Sequence, residues 1–206
     1  MKKNYLVTVG ITTYNSDINY LSKALNSIIN QTYRNIEIII FDDCSSNSID
    51  IENLIIKIKD SRITFLQSEK NKGVSNSLNE IIKKANGDFF CWCPDDDYMS
   101  LSRVQRQITS IEKNPDSISY SNHYQVIEMF NLKRKIRHNF YLKFFDSYFY
   151  SIIFDRINGG TLLIPLKIIK KYKFDSKLKH IQDYDVWHQI FRNNKSIYIN
   201  EYLFFS

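Results

Sequence analysis

The sequence has few cysteines and no long hydrophobic run, and each shortage excludes a class of protein. Its 206 residues include three cysteines, Cys44, Cys91 and Cys93. An odd number without a signal peptide argues for reduced thiols rather than a disulfide framework, and Cys91 and Cys93, two apart in an apolar run, are expected to be buried. The N-terminus lacks the apolar core of a secretory signal, and no stretch reaches the ~18 apolar residues that span a bilayer. We therefore expect a cytoplasmic protein.

Positive charge exceeds negative charge, with a formal net charge of +6. The clearest basic run is Lys133, Arg134, Lys135, Arg137 and His138. Such a run is ordinarily a solvated face, but it also suits an anionic membrane surface or a phosphorylated ligand. The other basic residues alternate with acidic ones, so no nucleic-acid partner is expected.

Hydrophobic patterning in the first hundred residues alternates between two periods. Short apolar runs at residues 6–11, 36–41, 63–66 and 89–92 predict buried strands, whereas residues 17–29, 49–58, 74–85 and 101–112 have helical spacing. This alternation predicts an α/β fold with a mostly parallel central sheet and helices on both faces. Neither repeats nor a linker interrupt the chain, so we expect one domain over residues 1–206.

Polar clusters directly follow three of the predicted strands. Residues 12–15 follow the first strand, Asp42 and Asp43 the second, and residues 95–97 the fourth. Ligands of open α/β sheets bind at the carboxyl ends of the strands. The shared position of these clusters therefore predicts a single active site at that edge.

The pattern is weaker after residue 115. Residues 118–120 and 125–129 are strand candidates, and the turn at Asn158 precedes another. Residues 140–154 are rich in aromatics, which indicates a helix packed on the sheet or an exposed stripe for a lipid-linked ligand or partner chain. The sequence ends after residues 197–206, so we expect either a short protein or a missing C-terminal part.

Clustered carboxylates are the residues most suited to chemistry. Asp95, Asp96 and Asp97 repel one another unless they are solvated or bound to a cation, and carboxylates are ligands of hard divalent ions. Asp42 or Asp43 could cap the next helix or accept a hydrogen bond from a pyrimidine N–H. Asp183 and Asp185 lie near a predicted helix start, where the dipole favours a carboxylate that can accept a proton.

Several motifs occur in a fixed order from about residue 5 to residue 190. They read VTVGITTYN, INQTYRNIEIIIFDDCSS, NKGVSNSLNEIIKKANGDFF, WCPDDDYMS and GGTLLIP followed by QDYDVW. Together they resemble the signatures of the inverting family 2 glycosyltransferases, which have the GT-A fold. The resemblance implies a Rossmann-like nucleotide-binding half over about residues 1–115. It also implies an acceptor and catalytic-base half over about residues 116–206.

The resemblance assigns expected roles to particular residues. Four of them would bind the nucleotide of the donor, namely Thr12, Tyr14 beside the base, Asp43 on the uracil edge and Asp95 near the ribose and diphosphate. A Mn²⁺ or Mg²⁺ ion would be held by Asp96 and Asp97, and Asp183 would be the general base. The expected reaction is direct displacement at the anomeric carbon with inversion of its configuration.

Three departures from the family pattern are present. Leu78 stands where the family has an arginine after GVS, which removes a cationic contact near the nucleotide. Gln182 replaces the acid before the expected base, and no QxxRW motif follows Trp187, so a processive polymerase is not expected.

The expected function is therefore transfer of one sugar, from a UDP-sugar, during bacterial surface-polysaccharide assembly. The acceptor would be a saccharide or a polyprenyl-linked saccharide, with peripheral contact at the inner face of the plasma membrane. A non-catalytic nucleotide-binding or scaffolding module with the same fold is the alternative. A nucleotidyltransferase is disfavoured because no glycine-rich phosphate loop follows the first strand.

Overall fold

A computed structural model describes residues 3–130, 132–137, 157–178 and 181–206. The strands are β1 (Val7–Thr13), β2 (Ile36–Asp42), β3 (Ile63–Gln67), β4 (Phe89–Trp92), β5 (Tyr98–Met99), β6 (Ile118–Ile127), β7 (Leu132–Ile136), β8 (Ile164–Pro165) and β9 (Ser196–Phe205). The helices are α1 (Ile18–Ile29), α2 (Ser48–Ile58), α3 (Val74–Lys84), α4 (Arg103–Ile111), α5 (Leu166–Ile169) and α6 (Gln182–Asn193). The prediction of an α/β fold is confirmed.

The first sheet has the strand order β3-β2-β1-β4-β8. Its first four strands are parallel, and β8 runs antiparallel to β4. The predicted strands and helices of the first hundred residues are confirmed to within about two residues at each end, the usual uncertainty of such boundaries. Asp17 caps α1, since its carboxylate accepts a 2.7 Å hydrogen bond from the backbone N–H of Asn19.

Two apolar clusters cover the two faces of the first sheet. In β2, Ile38 and Ile40 belong to one cluster, and Ile39 and Phe41 to the other. Successive side chains of a strand point to opposite faces, so a continuous apolar run fills both layers. Helices therefore pack on both faces, as the sequence predicts.

A second sheet was not predicted. It has the order β5-β9-β6-β7, with β6 parallel to β9 and antiparallel to β7. The two strand candidates at 118–120 and 125–129 are parts of the single strand β6, and the basic run from Lys133 forms β7. The sequence pattern predicts no helix or strand after residue 195, but these residues form β9 in the interior of this sheet. The aromatic segment at 140–154, together with His138 and His180, lies outside the described residues.

Candidate active site

The carboxyl ends of β1, β2 and β4 meet at one edge of the first sheet, as predicted. Thr13 at the end of β1 lies beside Asp42 at the end of β2, and its hydroxyl donates a 3.1 Å hydrogen bond to the Asp42 carboxylate. Cys93, just past β4, donates its backbone N–H to the Gly10 carbonyl of β1 at 3.0 Å. The three polar clusters named from the sequence therefore share one edge.

Neither Asp42 nor Asp43 caps the helix that follows, so the capping alternative is wrong. Helix α2 begins after Asn47 and has no side-chain cap. Asp42 is fully buried and also accepts hydrogen bonds from the Ser45 N–H at 3.2 Å and the Gln67 amide at 3.2 Å. Its carboxylate is used by contacts that hold β2 to its neighbours, and it does not reach α2.

Asp43 instead fixes the loop before α3. Its two carboxylate oxygens each lie 3.0 Å from the backbone nitrogen of Lys72, and one lies 2.6 Å from the backbone nitrogen of Gly73. Gly73 has φ +83°, a conformation that glycine adopts without strain. A carboxylate oxygen can accept more than one hydrogen bond, so Asp43 retains the capacity to bind a ligand N–H group.

A first cavity of about 340 Å³ opens beside Asp43. Three of the four residues predicted to bind the nucleotide line it together with Asp43, namely Thr12, Tyr14 and Asp95. Tyr14 is 53% exposed, so its ring is available for stacking. Trp92 and Pro94 also line this cavity. The structure thus brings all four predicted nucleotide residues into one cavity.

The acidic residues 95–97 are divided between cavities. Asp95 accepts a hydrogen bond from the Ser16 hydroxyl and lines the first cavity. Asp96 and Asp97 line a smaller pocket beside Lys23 and Tyr98. Burial raises the pKa of Asp95, and the neighbouring Asp96 adds to the effect. Burial, followed by repulsion from Asp96 and Asp95, raises the pKa of Asp97 to about 8.

The three neighbouring carboxylates are chemically suited to binding a divalent cation. Neighbouring carboxylates that repel one another are stabilised by an opposite charge, and Mn²⁺ or Mg²⁺ takes oxygen ligands. Within the described ranges, no three acidic, His or Cys side chains converge as a complete protein-only site. Such ions are commonly held by one or two carboxylates plus substrate phosphates, and Asp96 and Asp97 fit that requirement.

A second cavity of about 600 Å³ adjoins the first. It is lined by Asp97, by Asp183 in the first turn of α6, and by His123 and Gln125 of β6. Trp92 and Pro94 line both cavities, so the two are neighbours across the end of β4. The Trp92 indole N–H is buried and has no hydrogen-bond partner in the described part of the chain.

Asp183 and Asp185 occupy different surroundings although they are two residues apart. Asp183 lines the second cavity, whereas Asp185 accepts a 3.0 Å hydrogen bond from Gln189 on the exposed side of α6. A close contact holds the start of α6 here, because a Cβ on Gly159 would lie 2.9 Å from the Trp187 ring. Of the two acids, Asp183 is the one that faces the space beside Asp97.

The second cavity also has a basic wall that the sequence analysis did not connect with the site. Arg134, Lys135 and Arg137 line it. Arg134 pairs with Gln125 across the β6–β7 ladder, so these two side chains share a face. Arg134 has no ion-pair partner among the residues that the structure describes. The basic run is therefore not only a solvated face.

The sequence pattern also does not identify Arg103, a buried arginine whose charge acts on Asp97. Arg103 is fully buried at the start of α4 and donates 3.0 Å hydrogen bonds to Gln107 and to the Leu162 carbonyl. Its charge lowers the pKa of Asp97, against the larger effect of burial. A single arginine in an amphipathic helix looks exposed in sequence, so only the fold identifies it.

Leu78, Cys91 and Cys93 belong to the hydrophobic core, whereas Cys44 is exposed. Leu78 is 1% exposed and packs in the apolar cluster of α3 and β2, so a larger cation has no space there. Cys91 and Cys93 are buried in the opposite cluster, as their spacing predicts. Burial raises the pKa of both thiols, which keeps them protonated. No helix in the described ranges is long and apolar enough to cross a bilayer.

The model for glycosyl transferase family 2 matches residues 8–188 of the chain. The chain belongs to this family. Among curated relatives, an uncharacterised glycosyltransferase of Rickettsia prowazekii is 33% identical over 98% of the chain and 65% of its own length. The family 2 chain thus spans just under two thirds of that relative. The Escherichia coli enzyme WfgD, a UDP-Glc:α-D-GlcNAc-diphosphoundecaprenol β-1,3-glucosyltransferase, is 30% identical over 96% of the chain and 74% of its own length.

Solved structures show that this family 2 member has the GT-A fold. Staphylococcus aureus TarS in complex with UDP-GlcNAc superposes with a TM-score of 0.81 at 18% identity, over 97% of the chain and 58% of TarS. The Pyrobaculum calidifontis mannosyltransferase in complex with GDP-Man and Mn²⁺ gives a TM-score of 0.73 at 14% identity, over 98% of the chain and 56% of that protein.

Proposed function

We propose that this chain is a glycosyltransferase that moves one sugar from a nucleotide-sugar to a saccharide acceptor with inversion. The observation that carries the proposal is the pair of adjoining cavities. One holds the four expected nucleotide residues, the other holds Asp183, and the two share Trp92 and Pro94. Residues 1–115 would then form the donor half of a single domain, and residues 116–206 the acceptor half.

The first cavity is proposed to bind the nucleoside of a UDP-sugar. Its volume of about 340 Å³ is within the range of small-ligand sites. Tyr14 is exposed and can stack on the base, while Asp43 can accept the N–H of uracil. Thr12 and Asp95 would contact the ribose and diphosphate. The donor UDP-Glc in the name of WfgD supports a uridine donor, since the fold alone holds UDP-GlcNAc in TarS and GDP-Man in the mannosyltransferase.

Asp96 and Asp97 are the proposed protein ligands of Mn²⁺ or Mg²⁺. When bound, the ion would neutralise charge on the departing diphosphate. Both side chains supply oxygen ligands in the loop after β4, directly after Asp95 of the first cavity, and Asp97 also lines the second cavity. The Mn²⁺ in the mannosyltransferase complex supports metal dependence.

Asp183 is the proposed general base. It would take the proton of the acceptor hydroxyl as that oxygen forms its bond to the anomeric carbon, while the bond from that carbon to the diphosphate oxygen breaks. Attack from the side opposite the diphosphate inverts the configuration. The shared wall of the two cavities allows an acceptor in the second cavity to approach a donor in the first.

The acceptor is proposed to carry a negative charge near its sugar. Arg134, Lys135 and Arg137 supply three cations along the second cavity, and arginine matches phosphate geometry well. A polyprenyl-diphosphate-linked saccharide has that chemistry, and WfgD is named for an acceptor of this class. The chain would then act from the cytoplasm at the inner face of the plasma membrane, in cell-surface polysaccharide biosynthesis.

The test is Asp183→Asn, with Asp185→Asn as the matched control. Transfer from a panel of UDP-sugars to a synthetic diphosphate-linked GlcNAc acceptor is measured with Mn²⁺ and with a chelator. Asp183→Asn should lower the turnover by about 10² to 10⁴-fold, whereas UDP binding and the control variant remain close to wild type.

Two results count against the proposal. Normal turnover in Asp183→Asn means that this carboxylate is not the base. Tight UDP binding by the wild type without transfer or donor hydrolysis under any condition favours the non-catalytic module instead.

A further inference from the structure

The hairpin of β6 and β7 extends beyond the rest of the second sheet. Pairing of β6 with β9 ends at Tyr124 opposite Phe205, and the last hydrogen bond runs from the Val126 N–H to the Ser206 carbonyl at 2.6 Å. The first six residues of β6 are buried, whereas β7 is exposed along most of its length. Beyond Val126, β6 and β7 therefore pair only with each other among the residues that the structure describes.

The end of this hairpin is apolar and exposed. Met129 is 85% exposed, Phe130 is 72% exposed and Leu132 is 53% exposed. We call these three residues the hairpin tip. Isolated exposed apolar residues are ordinary, but three large ones within four positions of a protruding turn form a patch that favours an apolar partner.

Basic residues lie directly behind the hairpin tip. Residues 126–137 contain four basic residues and one acidic residue, Glu128, which leaves a net charge of +3. Lys133 and Lys135 lie over the rings of Phe205 and Tyr202, with the nitrogens 5.1 and 5.5 Å from the ring centroids. The two lysine side chains therefore pack against aromatic rings of β9, and both ammonium groups lie on the same face of the hairpin.

We propose that the hairpin tip inserts into the surface of an anionic lipid bilayer while the basic residues of β7 contact the headgroups. An interfacial element buries its apolar side about 5–10 Å deep. A strand rises ~3.3 Å per residue, so Lys133 and Lys135 lie roughly 3 and 10 Å along β7 from Leu132 of the hairpin tip. This spacing is comparable to the depth of insertion. The charge argues against a second copy of the chain as the occupant, because two such hairpins would repel each other.

This arrangement has a consequence for the second cavity, and that consequence rests on the proposed function. Arg134, which lines the cavity, is two residues from Leu132, or roughly 7 Å along the strand. A hairpin inserted at its tip would hold the cavity next to the headgroup layer. The diphosphate of a lipid-linked acceptor lies at that level, so the acceptor would not have to leave the bilayer.

The experiment is flotation with phosphatidylcholine vesicles that contain or lack phosphatidylglycerol. The wild type should float only with the anionic vesicles and should be released by high salt. The double variant Met129→Ser, Phe130→Ser should bind at least about tenfold more weakly. Lys133→Gln should weaken binding about fivefold, since one basic residue near an anionic surface contributes about that factor.

Matched controls exist on another element. Ile49 and Ile56 of α2 are 74% and 67% exposed, so Ile49→Ser, Ile56→Ser removes similar apolar surface far from the hairpin tip and should not change flotation. Lys84→Gln is the charge control. A Phe130→Trp variant adds a direct readout, because its fluorescence should shift to the blue with anionic vesicles only.

The inference is overturned if the tip variant floats like the wild type, or if its only effect is a change of oligomeric state in sedimentation. Transfer to a water-soluble diphosphate acceptor separates this inference from the proposed function. Tip variants that lose flotation but keep soluble transfer support both. Tip-dependent flotation by a chain that transfers no sugar supports the inference and refutes the function.

Discussion

Replacing Asp43 by asparagine tests how the first cavity is built. The Asp43 carboxylate accepts from the backbone N–H groups of Lys72 and Gly73 through both oxygens, whereas asparagine offers one accepting oxygen. The oxygen that accepts from Gly73 also accepts from Lys72, so asparagine would lose the second contact to the Lys72 N–H group, would face that group with an amide donor, and would lose the negative charge. A hydrogen bond to a charged group contributes about 1.5–3 kcal/mol, so we expect the free energy of unfolding to fall by about 2 kcal/mol.

The assay is a thermal melt with and without UDP and Mn²⁺. For a chain of this size, about 2 kcal/mol lowers the midpoint by roughly 4–8 °C. The rise in midpoint on adding UDP and Mn²⁺ should also shrink, because Gly73 lines the first cavity and its position depends on Asp43.

The control is Asp50→Asn, which changes an exposed acid in the first turn of α2. It loses a helix-dipole interaction of about 0.5 kcal/mol, so its midpoint should remain within about 2 °C of wild type. If Asp43→Asn melts no lower than Asp50→Asn, the carboxylate does not hold the loop and the reasoning is wrong.

Three further predictions concern packing and pH. Gly160→Ala should lower the free energy of unfolding by about 1–3 kcal/mol in urea unfolding, because its Cβ would lie 2.2 Å from the Phe204 ring; an unchanged urea midpoint would contradict this. Leu78→Arg restores the family residue but puts a charge at a site 1% exposed, so we expect a loss of more than about 3 kcal/mol and no gain in UDP affinity by calorimetry. Burial lowers the pKa of His123 to about 4, so the unfolded state takes up the proton first as the pH falls below about 6.5. Stability present above that pH should then fall by about 2 kcal/mol by pH 5, and His123→Gln should lack this part of the pH dependence in melts.

The first sheet could be predicted from sequence because its signals are local. Runs such as residues 36–41 are apolar on both faces, and each is separated from the next by a helix with clear 3.6-residue spacing. The four residues assigned to the nucleotide follow such strands, so the rule for α/β sheets was enough to bring them to one edge. Their chemical roles stay predictions until donor binding is measured.

The second sheet could not be predicted because its pairing is long-range and its strands are only half-buried. In β9 most residues are intermediate in exposure, and the pairing with β6 shifts register at Asn122. The capping alternative for Asp42 and Asp43 was wrong for a related reason. Both seemed suited to a nearby helix start, but their partners, such as Gln67 and Gly73, lie about 25 to 30 residues away.

The position of β9 has a consequence for how the chain folds during synthesis. This strand follows all the others in the sequence, yet it lies between β5 and β6 in the second sheet. The β1 to β4 part of the first sheet uses only residues that leave the ribosome early, so it can form while synthesis continues. The β6–β7 hairpin must wait with one edge unpaired until β9 emerges. An unpaired edge invites association with other chains, so the interval between those two events is when this protein is most prone to aggregate.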